Sequence, residues 1–326
     1  MNEYNIGKSS VEDVYALIVQ DLQFAVANAP ELPRLIGTPS VNAAKSLLGE
    51  VYATLGRYED ALSELSAVIE SGQYSLVPVS TSADFDNVFG PDLVSSTEEI
   101  FYIKEERTTA GNEYAMFCSH PSAMVNGQPM HSAGGWYGVY TKATNQLIAE
   151  WDVKDLRKDY NILLFNFGMG DSTYLLTKYH DPNAPNAGAA ACDYPLIRYP
   201  DVLLLYAEMA MRVSGTPTED AMEKVNMVHR RAYGYDPVVP SEVDFDLKDY
   251  STFDQFLDLI LRERMYEQFN EGKRWFDLLR LGIVKEQIMK IKGIEVQDKH
   301  LLFPIPQTEF NYNEALDPVV DQNPGY

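Results

Sequence analysis

The stretch Val41-Asn-Ala-Ala-Lys-Ser-Leu-Leu-Gly-Glu-Val-Tyr-Ala-Thr-Leu-Gly-Arg-Tyr-Glu-Asp-Ala-Leu-Ser-Glu-Leu-Ser-Ala-Val-Ile-Glu-Ser-Gly72 decides the fold class. Val41, Ala44, Leu48, Val51, Tyr52 and Leu55 recur at helical steps and stop at Gly56; Tyr58, Ala61, Leu62, Leu65, Val68 and Ile69 repeat the pattern and stop at Gly72. Apolar residues three and four apart line one face of a helix, and a glycine just past the last of them ends it. Two short amphipathic helices joined this tightly run antiparallel. Leu48-Gly49, Tyr52, Gly56, Tyr58, Ala61 and Leu65 also fit a tetratricopeptide pattern, in which small and large residues at fixed offsets let two helices approach closely.

Working outward, Val11, Val14, Tyr15, Ile18, Leu22 and Val26 form an earlier helical run behind the capping spacings Ser9-x-x-Glu12 and Ser10-x-x-Asp13, ended by Pro30 and Pro33. A looser copy of the pair occupies 202–232: Leu203, Leu205, Tyr206, Ala207 and Ala210, a Gly215-Thr216-Pro217 turn, then Ala221, Val225 and Val228. About three repeats are needed for a stable solenoid, so these pairs belong to a larger helical domain. The expected fold is mainly α: tetratricopeptide-like hairpins over 10–72 and 200–282 as a scaffold, with a large irregular loop-rich face and few short strands.

Composition narrows the function. With 326 residues, 45% hydrophobic and 23% charged, the chain can bury a sizeable core. Its net charge of −22 disfavours nucleic acid and anionic lipid head groups. Cys118 and Cys192 lie far apart, and His120, His131, His180, His229 and His300 form no paired spacing, so no metal, cofactor or disulfide framework is expected. Glycine-rich phosphate loops and nucleophile elbows are absent from the sequence. The start, Met1-Asn2-Glu3-Tyr4, has neither a basic nor an apolar targeting region, and no run is long and apolar enough to span a bilayer, which reads as a soluble chain.

Between the two helical regions, 75–195 turns irregular, punctuated by the strand-like Glu99–Ile103 and Thr173–Leu176. Tyr114–Thr141 runs 28 residues without Asp, Glu, Lys or Arg, yet holds Tyr114, Phe117, Trp136, Tyr137 and Tyr140 among Gly127, Gly134, Gly135 and Gly138. Long loops are usually functional or disordered, and the aromatic content argues against disorder.

The densest charged constellation is Arg262-Glu-Arg-Met-Tyr-Glu-Gln-Phe-Asn-Glu-Gly-Lys-Arg-Trp-Phe-Asp-Leu-Leu-Arg-Leu-Gly282. A helix capped at Gly272 and a second over 275–281 are expected, with Arg274–Asp277 and Asp277–Arg280 as i,i+3 pairs. Glu263 and Glu267 could serve as acid and base; the favoured reading makes them members of a structural ion network, with Trp275, Phe276 and Leu279 in the core.

This segment resembles the signature of the SusD/RagB family of Bacteroidetes outer-membrane nutrient-binding lipoproteins. Agreement continues in Pro195-Leu-Ile-Arg-Tyr-Pro-Asp-Val-Leu-Leu-Leu-Tyr-Ala-Glu208, in Glu219-Asp-Ala221 with Val225-Asn226 and Arg230-Arg-Ala232, and in Phe303-Pro-Ile-Pro306 with Gln322-Asn-Pro-Gly-Tyr326, so the likeness spans about 11–326. Members usually begin with a lipoprotein signal, a lipid-bearing cysteine and earlier tetratricopeptide helices, which this chain does not have; it reads as a C-terminal portion or a short variant. The resemblance implies one SusD-like domain over 1–326, with helices at 9–74, a candidate ligand-binding face at 75–195, signature helices at 196–285 and an extended tail at 286–326. It further implies a non-catalytic protein, facing outward from the outer membrane and lipid-anchored at full length, that captures a glycan, sometimes a peptide, for a SusC-like TonB-dependent transporter.

The residues agree with that implication, because sugar rings stack their C–H faces on aromatic side chains while their hydroxyls need polar partners. Trp136 and Tyr137 are the leading platforms, Tyr114, Phe117 and Tyr140 secondary ones, and Asn112 and Arg107 the polar partners, in a loop after Glu99–Ile103 where members tend to place aromatic ligand contacts. The bland alternative is that these rings merely plug the loop onto the helices. Trp151 and Tyr174 are the fallback positions. Two rival functions are a glycan-active enzyme, which needs two carboxylates about 5–9 Å apart in a cleft, and a tetratricopeptide adaptor for peptide tails, which needs a continuous array of repeats.

Overall fold

The computed structural model describes residues 5–131, 135–170, 172–186 and 188–326, and the fold is mainly helical with few short strands. Gly134 and the Met1–Tyr4 terminus therefore lie outside the described residues. The backbone groups into two compact units: Leu22–Arg274, and residues up to Asp21 together with Trp275–Tyr326.

In the larger unit, the deciding stretch folds as helices Val41–Thr54 and Tyr58–Glu70. Ser40 caps the first, its hydroxyl accepting from the Ala43 N–H, and Gly56 turns the chain at φ +71°. Gly49 is there for contact: a Cβ on it would sit 3.0 Å from Leu65 Cγ, so glycine lets the two helices close on buried Ala61 and Leu65. The second helix packs on Tyr199–Ser214, which pairs in turn with Glu219–Ala232, capped by Thr218. These are the two hairpins read from the sequence, joined through one another. Helix Val11–Asn28 also forms, with Ser10 capping the Asp13 N–H, but it buries no residue; Val11, Val14, Leu17 and Phe24 stay exposed.

Strand Glu99–Ile103 pairs antiparallel with Tyr194–Arg198, placing Phe101 opposite Ile197 and Ile103 opposite Tyr194. The loop-rich excursion between them thus leaves and returns at one ladder. Beneath the ladder lies a fully buried ion network. The Arg198 guanidinium binds Glu98, Glu267 and Glu271; Arg231 bridges Glu98 and Glu267; Arg157 reaches Asp155, Glu263 and Glu267; and Lys178 pairs with Glu271. Each ion is bidentate or multiply bonded, which buried charges require. Glu263 and Glu267 are therefore network members buried away from solvent, the reading preferred over acid and base.

Three sequence expectations need correction. The signature helix spans Phe253–Glu267 and ends at Gln268, short of Gly272; the chain then turns through Asn270 and Gly272, both at positive φ. The next helix, Arg274–Arg280, has seven residues and buries only Asp277 and Leu278, leaving Phe276 63% exposed and Trp275 and Leu279 half-buried. Fewer than two turns cannot bury a wide stripe. Trp151, held as a fallback platform, is instead 2% exposed.

In the smaller unit the two tail motifs bind each other. Ile305 and Gln322 exchange N–H···Oε1 and Nε2–H···O bonds of 2.8 and 3.0 Å, and the Asn323 amide donates to the Phe303 carbonyl at 2.6 Å. The Tyr326 hydroxyl donates to the Lys299 and Leu302 carbonyls. The tail also holds a short helix, Gln307–Tyr312.

Candidate functional site

The uncharged segment is built onto a single helical turn, Tyr114–Cys118. Three backbone bonds of 2.8 Å staple the returning chain to it: Trp136 N–H to the Met116 carbonyl, Tyr137 N–H to Ser119, and Val139 N–H to Phe117. Close approach is possible because residue 135 is glycine. At φ +128° it lies so near Ser119 that a Cβ would fall 2.6 Å from the Ser119 carbonyl oxygen. Tyr137 itself has φ +38°, unusual for a residue with a side chain and of the kind that clusters at functional sites.

This stapling displays the rings. Trp136 is 66% exposed and meets Phe117 edge-on, centroids 5.8 Å apart at 84°. Tyr137 packs against His120 at 4.7 Å and Phe167 at 5.2 Å; Tyr140, at the start of strand Tyr140–Lys142, meets Phe167 edge-on at 5.0 Å; and His120 also contacts Phe165 at 4.8 Å. Contacts of this length and tilt favour the ring quadrupoles. Tyr114 stands somewhat apart, its hydroxyl donating to Asn270 Oδ1 at 2.6 Å and its ring edge-on to Tyr179.

The two polar candidates sit differently. Asn112 is 4% exposed; its Nδ2 donates to the Cys192 carbonyl and its Oδ1 accepts from the Tyr114 N–H. Arg107 donates to Asp181 through Nε and Nη2 and to Asp92 through Nη1 and Nη2. Burial would push the Asp181 carboxyl up, but Arg107 and the backbone N–H groups of Ala191 and Asn183 outweigh it and hold it below the usual range. Both side chains are thus engaged within the protein, Arg107 by two carboxylates and Asn112 by backbone groups of Cys192 and Tyr114.

Sequence reasoning missed Phe165, Phe167 and His120. Strand Ile162–Leu164 pairs with Thr173–Leu176, which also pairs with Tyr140–Lys142, so this three-stranded sheet brings 163–167 beside the stapled loop. Leu163, Phe165 and Phe167 alternate onto one face over buried Ala123, Met130 and Leu175. The signal was present: Ile162–Gly170 is a second stretch without a charged residue. Tyr174, the other fallback, lies on the central strand and packs partly against the Trp151 cluster.

The architecture is a tetratricopeptide-like helical scaffold carrying a loop-rich face studded with aromatic rings. The chain belongs to the SusD family, whose sequence profile matches residues 130–326. It is similar to SusD-like proteins P2 and P38 of Formosa agariphila, at 26% and 27% identity over 98% and 91% of the chain. It spans 66% and 62% of the length of these curated relatives. The fold matches that of a SusD homolog from Bacteroides thetaiotaomicron, with TM-score 0.80 and 22% identity over 98% of this chain and 71% of that one. Surface glycan-binding protein A from the same species, solved with laminarihexaose, gives TM-score 0.74 and 20% identity, covering 98% of this chain and 74% of its own. Among the described residues no helix is long and apolar enough to cross a membrane, and no three potential ligands gather as a metal site.

Proposed function

We propose that the protein is a non-catalytic glycan-binding member of the family that holds an oligo- or polysaccharide on the aromatic strip and, at full length and lipid-anchored on the outer face of the outer membrane, passes it to a SusC-like TonB-dependent transporter. The observation that carries this reading is the exposure of Trp136 beside Phe117, with Tyr137 and Tyr140 continuing the strip over Phe167. Large apolar rings held at the surface by backbone staples, rather than sunk into a core, suit ligands with apolar faces and polar edges. Surface glycan-binding protein A, similar in fold and solved in complex with laminarihexaose, supports a sugar ligand. Tyr114 is a peripheral contact in this proposal, and Asn112 and Arg107 act by fixing the loop. The organisation of 1–326 as one functional domain is part of the same proposal.

The test is a binding screen of the protein over neutral and acidic polysaccharides and host glycans by affinity electrophoresis and calorimetry. Binding that is lost on Trp136→Ala without a change in fold supports the reading, and turnover of the bound sugar would replace it with an enzyme. The transporter claim stands on family likeness. It fails if the natural protein, gently solubilised from its own membranes, never co-purifies with a TonB-dependent barrel.

A further inference from the structure

Resting on the glycan reading, we infer that the aromatic strip selects uncharged glycans and rejects acidic ones bearing carboxylate or sulfate groups. Every ring of the strip comes from two segments, 114–141 and 162–170, that contain no Lys, Arg, Asp or Glu, in a chain where 26 basic and 48 acidic residues are spread through the rest. A sugar carboxylate or sulfate lying on the rings would therefore find no lysine or arginine in the segments that carry them, and among the described residues His120 is the one imidazole within the strip's ring contacts.

Three cations of the loop-rich region, Arg107, Lys178 and Arg157, are committed to carboxylates. Arg107 is already clamped by two carboxylates, Asp92 and Asp181, through four bonds of 2.6–2.9 Å, so a ligand anion would have to displace one of them. Lys178 is fully buried against Glu271 and the Phe269 carbonyl. Arg157 is enclosed by Asp155, Glu263 and Glu267. Lys142, following Tyr140 and Thr141 on their strand, is exposed, a single charge at the edge of the strip. Against this stands the field of a chain carrying −22, which repels an approaching polyanion at low ionic strength. A neutral glycan escapes that repulsion and loses nothing by the missing cations, because stacking and hydroxyl hydrogen bonds require none.

The experiment pairs each neutral polymer with a charged derivative of the same backbone: soluble laminarin, pullulan and galactomannan, each beside its sulfated form, at low and at about 0.5 M salt. For any backbone that binds, the sulfated form should bind at least about tenfold more weakly at low salt, the gap narrowing as salt screens the repulsion. Gly138→Lys tests the same point in reverse. Residue 138 follows Tyr137, and a Cβ there meets nothing closer than the Phe117 carbonyl at 4.0 Å. This variant should raise the affinity for the sulfated form relative to the neutral one. Equal or tighter binding of the sulfated polymer by the unaltered protein, weakening as salt rises, overturns the selectivity while leaving glycan capture intact. Failure of both members of every pair, with acidic and neutral polymers alike unbound across the wider screen, overturns the glycan reading and this inference with it.

Discussion

Trp151 lies flat against Tyr266, ring centroids 4.6 Å apart and planes within 15° of parallel. Its indole N–H donates to Asp155 Oδ2 at 2.9 Å, so this ring joins the strand-and-loop region to the signature helix while its polar atom is satisfied by a carboxylate that also holds Arg157. The stack ties the strand-and-loop region to the helical scaffold.

Replacing that ring should therefore be costly. Trp151→Ala is expected to lose about 3–5 kcal/mol of stability, the usual cost of truncating a buried tryptophan. Trp275→Ala, on a half-buried position of a seven-residue helix, should lose about 1 kcal/mol. Urea melts of the two variants check the order; equal losses would mean the burial difference does not govern stability here.

Trp136→Ala is expected to behave in the opposite way. Its ring is mostly exposed, so the melting temperature should scarcely move, while glycan binding should weaken by about 1–3 kcal/mol, as for removal of aromatic stacking from other planar ligands. Calorimetry beside thermal denaturation separates the two. Unfolding with unchanged affinity would place the binding surface elsewhere.

Gly135→Ala probes the staple rather than a ring. The new methyl would clash with the Ser119 backbone at a φ that side chains avoid, so the segment carrying Trp136 and Tyr137 has to shift. A local strain of about 1–3 kcal/mol is expected. It should be read as lost glycan affinity with the helical circular dichroism and the main unfolding transition retained.

The ion network sets the acid response. Burial alone would raise the Glu263 carboxyl, but Arg157 and His229 outweigh it and bring it down from 4.5 to about 2. A carboxylate depressed in the folded state binds fewer protons than in the unfolded chain, so its contribution, on the order of 3 kcal/mol, is full above about pH 4.5 and is lost as pH falls through about 2. His131 acts in the same direction at milder pH. Burial pushes its imidazole down to about 4, so it stays neutral in the fold while the unfolded chain gains a proton below 6.5. Urea midpoints should hold near neutrality, decline from about pH 6.5 to 4 as His131 contributes, and go on declining below 4.5 as Glu263 does; a flat profile down to pH 3 would contradict this.

The helices could be read from the sequence because their causes are local. The spacing of Leu48, Tyr52, Ala61 and Leu65, the hydroxyl of Ser10, and the glycines at 56 and 215 act within a few residues, so hairpins and turns follow from the sequence alone. The uncharged run 114–141 was likewise visible. Which of its rings face solvent was not, because that depends on contacts distant along the chain. Three backbone bonds to 116–119 turn Trp136 outward, and the pairing of Thr173–Leu176 with both neighbouring strands brings Phe165 and Phe167 to Tyr137 and Tyr140. The two tryptophans in dispute make the same point. Trp275 follows Lys273-Arg274 and Trp151 stands between Glu150 and Asp152, so local sequence favours burial of neither, and only packing against Tyr266 and a short helix's limited reach decided which ring is buried. Burial is a property of what arrives from elsewhere in the chain, and periodicity specifies a face without naming what will cover it.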